Sequence, residues 1–161
     1  MKNLLDLTGK KAMVTGGSRP IGHRLAQALH DAGAEVVFFY NSTCPDGLAE
    51  QMQGNGPAVH AVRCNVADRK ALEHGVTAAA DLLGGRIDIL INAAGINRRY
   101  WLEDFPTEEW DAVINTNLNA AVYCTQLVGK YMLAQQYGKV INLASLNSFV
   151  SGKRVGAYVA S

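Results

Sequence analysis

The sequence has little charge, and what it has is balanced. Of its 161 residues 18% are charged and the formal net charge is +1, so no basic or acidic excess indicates a nucleic-acid or membrane-surface partner. Hydrophobic residues make up 48%, and a chain of this length can bury a core of its own. The composition predicts one globular domain over residues 1–161.

Cysteine is scarce, and the three residues present, Cys44, Cys64 and Cys124, are far apart. Their odd number and spacing fit neither a disulfide framework nor a metal site, so we expect reduced thiols, no metal and a cytoplasmic protein. The N-terminus lacks the apolar run of a signal peptide. Residues 112–129 carry no charge, but their asparagines, threonines and glutamine are too polar for lipid, which favours a buried or interface helix.

Strand and helix patterns alternate along the chain. Short runs typical of strands occupy residues 11–15, 35–40, 58–64, 87–92 and 139–144. The run 35–40 is β-branched and aromatic, as in a strand buried on both faces. Helical spacing occupies residues 20–32, 45–53 and 68–83, then a long region from an N-cap at Thr107 to about Gln136 with a bend near Asn117, and a last helix from about Gly156. This order predicts right-handed crossovers and an α/β fold, a doubly wound parallel sheet in three α/β/α layers.

A glycine-rich turn, residues 15–22, follows the first predicted strand and opens the first predicted helix. Ligands of doubly wound sheets bind beyond the carboxyl ends of the strands. Glycines allow a tight turn with close backbone approach, and a helix N-terminus attracts a pyrophosphate. The turn is therefore a candidate dinucleotide site, with a purely structural connection as the alternative.

Three motifs together resemble the short-chain dehydrogenase/reductase family, whose sheet is Rossmann-like. Residues 15–22 match its Thr-Gly-x-x-x-Gly-x-Gly pattern, except that Pro20 replaces the middle glycine; proline is acceptable at the first helical position but removes one amide. Asn65 and Val66 stand where the family has Asp-Val/Leu at the adenine, and residues 92–95 match Asn-Asn-Ala-Gly except for a common substitution, Ala93 for the second asparagine. The resemblance implies cofactor contacts by Gly16, Ser18, Ile21, Gly22, Asn65, Val66, Asn92, Ala93 and Gly95.

The end of the second predicted strand bears on the choice of cofactor. NAD-specific members of the family usually place an acidic residue there for the ribose 2′-hydroxyl. Here the position is Tyr40, followed by Asn41 and Ser42, so no carboxylate would repel a 2′-phosphate. Arg19 can pair with such a phosphate, its alternative being a solvated loop charge. We expect NADP to be favoured over NAD, with Arg19 and Asn41 in the cofactor site.

The resemblance also assigns the reacting groups. Tyr158 matches the tyrosine of the family's Tyr-x-x-x-Lys pattern, which contacts the cofactor and exchanges a proton with the substrate oxygen. A free phenol has a pKa of about 10, and a lysine one helical turn away lowers such a pKa. Ser145 matches the serine that binds the substrate oxygen, and Asn117 the asparagine that bends the long helix and holds a relay water. Taken individually, each residue has a structural alternative: Tyr158 as a packing residue, Ser145 as a turn cap and Asn117 as a buried amide.

The family lysine would be the residue after Ser161, and the sequence does not include it. In the family, the rest of that helix, two further strands and a substrate-covering loop follow. We expect the 161-residue chain, incomplete at the C-terminus relative to the family fold, to bind cofactor but to be nearly inactive alone, with an exposed sheet edge prone to association. A non-catalytic nucleotide-binding fragment is the alternative, favoured by Pro20, Asn65 and the absent lysine.

The expected substrate follows from Arg98 and Arg99. Residues 95–99, with Phe105-Pro106 and Trp110, resemble the sugar-acid dehydrogenases of the family. Residues 142–145 with Ser148-Phe149, then Arg154-Val155 before Tyr158, are similar to 2-deoxy-gluconate 3-dehydrogenases in particular. Gluconate 5-dehydrogenases share the double arginine and are close competitors. A guanidinium suits a carboxylate-bearing small-molecule substrate, although both arginines can equally be solvated or form subunit contacts. The resemblance implies an oxidoreductase that interconverts a secondary alcohol and ketone of a sugar acid, and a homo-oligomer, dimer or tetramer, when complete.

Overall fold

The computed structural model describes residues 5–161, and its strands form one parallel five-stranded sheet in the order β3–β2–β1–β4–β5. The strands are β1 (Lys11–Thr15), β2 (Glu35–Tyr40), β3 (Val59–Arg63), β4 (Ile89–Asn92) and β5 (Lys139–Asn142). The helices are α1 (Pro20–Asp31), α2 (Leu48–Gln53), α3 (Arg69–Leu82), α4 (Thr107–Ile114), α5 (Ala120–Ala134) and α6 (Gly156–Ala160). The predicted doubly wound α/β fold is confirmed.

The strand order reverses at β1, which pairs with β2 on one side and β4 on the other. Val14 lies opposite Phe38 in one pair and Ile91 in the other, while Thr15 at the end of β1 lies beside Asn92 at the end of β4. The carboxyl ends of β1 and β4 therefore meet at the switch point, where ligands of such sheets bind.

The core lies on both faces of the sheet because successive side chains of a strand point to opposite faces. Val37 and Phe39 of β2 pack with α3 and α5 in one buried cluster. Val36 and Phe38 pack with α1 and α2 in the other. Burial on both faces explains why residues 36–39 of β2 are apolar without interruption.

The outermost strand, β5, lacks the burial of β2. All four of its residues are exposed, and Ile141 retains 49% of its accessible surface. In the described chain β5 pairs with β4 along one edge, and its other edge carries no strand. Exposed apolar side chains continue into the turn after it, with Leu146 at 74% and Phe149 at 88%. The expected open sheet edge is therefore present between residues 5 and 161.

Several predicted boundaries shift for local reasons. The second helix begins at Leu48 rather than Pro45, because Gly47 has a left-handed φ of 69° that no α-helix continues. The N-cap expected at Thr107 is wrong: Pro106 holds that position with extended backbone, and Thr107 is the first helical residue. A π-helical turn, Asn115–Asn119, lies between α4 and α5 at the position of the predicted bend.

Between residues 5 and 161, none of the helices is long and apolar enough to cross a membrane.

Candidate active site

The glycine loop between β1 and α1 packs too closely for larger residues. Gly16 has φ 70°, and a Cβ there would lie 2.9 Å from the Ala94 Cα atom. A Cβ at Gly22 would collide with the Gly16 carbonyl group. The two glycines therefore let the loop lie against both the segment after β4 and the first turn of α1.

The first turn of α1 retains donors for an anion despite Pro20. Arg19 is the N-cap, with extended backbone, and Pro20 is the first helical residue. The first intrahelical bond runs from His23 N to Arg19 O at 2.8 Å, so the amides of Ile21 and Gly22 precede the helical ladder. Proline removes one amide from this turn but has a suitable φ, as expected, and two amides remain.

Two clefts meet at the carboxyl ends of the strands. The larger, of about 1050 Å³, brings together Ser145, Tyr158 and Asn117 with these loop and strand-end residues: Arg19, Ile21, Gly22, Val66, Asn92, Ala93 and Gly95. The smaller, of about 410 Å³, is lined by Gly16, Ser18, Asn41, Asn65 and Arg98. Arg19, Val66 and Gly95 border both. Two adjoining clefts suit a ligand with two ends joined by a pyrophosphate at the glycine loop.

Asn117 lies on the π-helical turn and is bound on both sides of its amide. Its Oδ1 accepts from Ile96 N at 2.9 Å, and its Nδ2 donates to Ile96 O at 3.0 Å and to Ser161 Oγ at 3.0 Å. Ser161 Oγ in turn donates to Tyr158 O at 3.2 Å. Asn117 thus connects the loop after β4 to the helix that carries Tyr158. Such π-turns are frequent at functional sites.

Ser145 follows β5 and begins a short 3₁₀ turn, Leu146–Ser148. Its Oγ accepts from Asn147 N at 3.2 Å, and its own amide donates to Ser148 Oγ at 3.4 Å. Because the Asn147 contact uses a lone pair, the Ser145 hydroxyl hydrogen can still donate into the cleft. Tyr158, half-buried on α6, lines the same cleft.

Sequence reasoning missed the contacts that hold this site in place. Thr15 Oγ1 accepts from the amides of Ala93 (3.0 Å) and Ala94 (3.1 Å), and Thr15 is the first residue of the glycine motif, so a signal for it existed. Asn92 Nδ2 donates to Asn142 Oδ1 at 2.8 Å and to Thr125 Oγ1 at 3.2 Å. These partners are 50 and 33 positions away, so no local pattern reports them.

Asn65 uses its side chain to close the turn before α3. Its Oδ1 accepts a hydrogen bond from Ala67 N at 3.2 Å. Asp68 then caps α3, because its side chain accepts from Lys70 N and Ala71 N. A second lone pair of Asn65 Oδ1 and the side-chain nitrogen Nδ2 therefore remain for a ligand. The side chain can both accept and donate hydrogen bonds, whereas the ionised family aspartate only accepts them.

The two arginines expected near the substrate do not line the larger cleft. Arg98 Nε donates to Glu109 Oε2 at 2.6 Å, and Arg98 lines the smaller cleft rather than the one that holds Ser145 and Tyr158. Arg99 is exposed and lies outside both clefts. A carboxylate on α4 pairs with Arg98, and neither guanidinium lines the cleft that holds Tyr158.

The three cysteines are free thiols, and two are buried beside the sheet. Burial, with a smaller effect of Asp68, raises the pKa of Cys64 to about 11. Burial, with a smaller effect of Cys64, raises the pKa of Cys124 to about 12. Burial followed by Asp46 and Glu50 raises the pKa of the more accessible Cys44. These thiols stay protonated near neutral pH, so they carry no nucleophilic role at this site.

Comparison with known proteins agrees with this geometry. Residues 10–161 match the family described as short chain dehydrogenase. The chain is 38% identical to 2-dehydro-3-deoxy-D-gluconate 5-dehydrogenase of Bacillus subtilis (strain 168), covering 100% of this chain and 63% of the relative. It is 38% identical to gluconate 5-dehydrogenase of Gluconobacter oxydans (strain 621H), covering 99% and 62%. A 3-oxoacyl-[acyl-carrier-protein] reductase of Synechocystis sp. is 37% identical over 96% of this chain and 63% of the relative.

Solved structures show the same fold. A candidate short-chain alcohol dehydrogenase from Sinorhizobium meliloti 1021 superposes with a TM-score of 0.92 at 36% identity, covering 99% of this chain and 63% of that one. A candidate NAD(P)-dependent gluconate 5-dehydrogenase from Beutenbergia cavernae, with NADP bound at low occupancy, gives 0.90 at 31% identity, covering 98% and 63%. The predicted resemblance is confirmed, and the chain spans less than two thirds of these relatives' length.

Proposed function

Because this chain belongs to the short-chain dehydrogenase family, we propose that it carries the cofactor site and the acid–base residue of an NAD(P)-dependent oxidoreductase acting on a secondary alcohol or ketone. One observation supports this most strongly. Ser145, Tyr158 and Asn117 match separate motifs, yet they line one cleft together with Ile21 and Gly22 of the phosphate loop. When bound, a nicotinamide cofactor supplies the site that gives or takes the hydride.

The residues present fit a dinucleotide extended across both clefts. The glycine loop offers two amides of a helix N-terminus to a pyrophosphate, and its close packing against residues 93–94 leaves the larger cleft open above it. Among the described residues that line the smaller cleft none is acidic, which supports NADP over NAD. The proposed cofactor-binding residues are Gly16, Ser18, Arg19, Ile21, Gly22, Asn41, Asn65, Val66, Asn92, Ala93, Gly95 and Tyr158.

Tyr158 and Ser145 would act on the same substrate oxygen. During reduction the Tyr158 phenol gives its proton to the carbonyl oxygen, and during oxidation the phenolate takes the proton of the alcohol. The Ser145 hydroxyl, whose oxygen already accepts from Asn147 N, donates its hydrogen to that oxygen and holds it in position. Asn117 holds the loop after β4 beside the end of α6 through its hydrogen bonds to Ile96 and Ser161.

We propose a sugar acid of gluconate type as the substrate. Two of the relatives act by name on gluconate or its deoxy-keto derivative, and Asn97, Gln126 and Ser148 line the larger cleft with groups that bind hydroxyls. Arg98 and Arg99 remain the proposed carboxylate-binding residues. For Arg98 this requires the substrate carboxylate to replace Glu109 in the 2.6 Å ion pair.

The complete enzyme is proposed to be a cytoplasmic homo-oligomer. The uncharged segment from the π-helical turn into α5 leaves Leu118 and Val122 exposed, and Leu133 retains 81% of its accessible surface. Exposed apolar side chains along one long helical region favour burial against another subunit.

Turnover tests the proposal. The 161-residue chain does not contain the position that holds the family lysine, so we expect it to reduce ketones scarcely above background. A chimera that continues after Ser161 with the remaining segment of the Bacillus subtilis relative should reduce 5-keto-gluconate with NADPH, and Tyr158→Phe in that chimera should abolish the reaction. Robust turnover by the 161-residue chain alone would contradict the proposed dependence on the lysine. A folded chimera that binds NADPH but reduces no ketone would favour the alternative, a non-catalytic nucleotide-binding module.

A further inference from the structure

Arg63, the last residue of β3, contacts the wall of the smaller cleft. Its Nε donates a 3.2 Å hydrogen bond to Asn41 O, and Arg63 is the register partner of Tyr40 at the end of β2. Asn41 lines the smaller cleft together with Arg19. The turn after β2 is thus flanked by one arginine from the glycine loop and another from β3.

The contact that holds Arg63 does not neutralise its charge. Arg69, Arg86 and Arg98 are each bound to a carboxylate, of Glu73, Asp88 and Glu109 respectively. The partner that the structure gives Arg63 is a carbonyl oxygen. A guanidinium has five N–H donors, so the Nε contact leaves the four on its two terminal nitrogens. Arg63 is also exposed, so these donors face solvent beside Asn41, a residue that lines the smaller cleft.

We propose that Arg63 is a specificity-determining residue that supplies a second cation to the 2′-phosphate of NADP(H). The proposal rests on the proposed NADP preference. A phosphate monoester carries a charge of about −1.5 to −2 near neutral pH, so Arg19 alone balances only part of it. The Arg98 charge is already paired with Glu109. Arg63 completes the charge balance, and its bond to Asn41 holds the turn that would border the ribose.

Cofactor titrations of the 161-residue chain test the role of Arg63. Fluorescence titration with NADPH and NADH is applied to the unsubstituted chain and to Arg63→Gln, Arg63→Lys and Arg24→Gln, the last an exposed arginine of α1 outside both clefts. Arg63→Gln should raise the Kd for NADPH about tenfold, which is the loss of one charge-assisted contact. The Kd for NADH should change less than about twofold, because NADH lacks the phosphate that this contact binds.

The conservative variant Arg63→Lys tests whether the positive charge itself contributes to NADPH binding. Arg63→Lys keeps the cation but cannot donate from Nε, so it should recover part of the NADPH affinity lost in Arg63→Gln. Arg24→Gln should leave both Kd values unchanged. 2′,5′-ADP, which carries the 2′-phosphate, should compete with NADPH less effectively in Arg63→Gln than in the unsubstituted chain. Competition by 5′-AMP, which lacks that phosphate, should not change.

Three outcomes overturn the assignment, and Arg19→Gln is titrated beside the other variants to distinguish them. If Arg19→Gln removes the preference for NADPH while Arg63→Gln leaves it intact, Arg63 has no role in specificity and the NADP proposal survives. If the unsubstituted chain binds NADPH and NADH equally, the NADP preference itself fails and the role of Arg63 fails with it. An equal loss of affinity for both cofactors in Arg63→Gln shows a purely structural role and also rejects the assignment.

Discussion

The side-chain amide of Asn92 donates a 2.8 Å hydrogen bond to the side-chain oxygen of Asn142, joining the carboxyl ends of β4 and β5. Asn92 is 93% buried, and its Nδ2 also donates to Thr125 on α5 at 3.2 Å. Asn142 lies three positions before Ser145. The bond therefore fixes the position at which the segment with Ser145 leaves the sheet. This segment would border the part of the proposed cofactor site that holds the nicotinamide.

Loss of this bond should destabilise the chain measurably. Asn142→Ala should lower the free energy of unfolding by about 0.5–1.5 kcal/mol, the usual net value of one hydrogen bond. Asn55→Ala, in an exposed turn, should change it by less than about 0.5 kcal/mol. Urea unfolding measures both. A double-mutant cycle with Asn92→Ala should give a coupling energy of similar size, and a coupling near zero would show that the two side chains do not interact.

Gly22 should be required for cofactor binding, whereas Gly129 should not. A methyl group at Gly22 would collide with the Gly16 carbonyl, so Gly22→Ala must displace the phosphate loop and should weaken NADPH binding by about a hundredfold or more. No atom of the described residues 5–161 lies within 4 Å of the corresponding position at Gly129 on α5, so Gly129→Ala should bind normally. It should also be more stable by about 0.5–1 kcal/mol. Unimpaired NADPH binding by Gly22→Ala would show that the loop does not hold the pyrophosphate.

Stability should fall at alkaline pH through the two buried thiols. Their pKa values are raised from the ordinary 9.0 to about 11 for Cys64 and about 12 for Cys124, so the folded state favours the protonated form. The resulting stabilisation is present below pH 9 and is lost as the pH rises from about 9 through 12, where the unfolded thiols ionise first.

Replacing Cys124 by alanine separates the contribution of this buried thiol to stability from that of other groups that titrate in this range. Between pH 9 and 11 the free energy of unfolding should fall less steeply with pH in Cys124→Ala than in the unsubstituted chain. Cys44→Ala should change the slope less, because the pKa of this partly accessible thiol is raised less than that of Cys124. Identical slopes for all three proteins would contradict the raised pKa of Cys124.

The open edge of β5 should cause self-association of the 161-residue chain. Ile141 lies on this strand with 49% of its surface exposed, and a lysine there should disfavour edge-to-edge pairing. Ile141→Lys should therefore shift the sedimentation profile toward monomer. Leu82→Lys, which replaces a side chain of 44% exposure on α3, should leave the profile unchanged. A monomeric unsubstituted chain at high concentration would contradict this role of the edge.

Elements with a local signal were predictable from the sequence. The unbroken apolar run of β2 indicated a strand buried on both faces, and the glycine loop indicated the switch point. The π-helical turn at Asn117 was expected as a bend because the family motif places one there. These features depend on a few consecutive residues, or on spacings that one motif contains.

Features that depend on distant partners were not predictable. The Arg98–Glu109 ion pair joins a loop to α4, and the Asn92–Asn142 bond joins strand ends 50 positions apart. The exposure of β5 depends on its outermost place in the sheet rather than on its own apolar residues. The late start of α2 depends on the left-handed backbone at Gly47, which the sequence permits without requiring.

Binding of nicotinamide cofactors to the purified 161-residue chain tests the central claim most directly. Titration followed by fluorescence should show saturable binding of NADPH and weaker binding of NADH, because two amides of the α1 N-terminus and the cation of Arg19 remain available despite Pro20. A chain that is folded by circular dichroism but binds neither cofactor would contradict the assignment of the two clefts as a dinucleotide site.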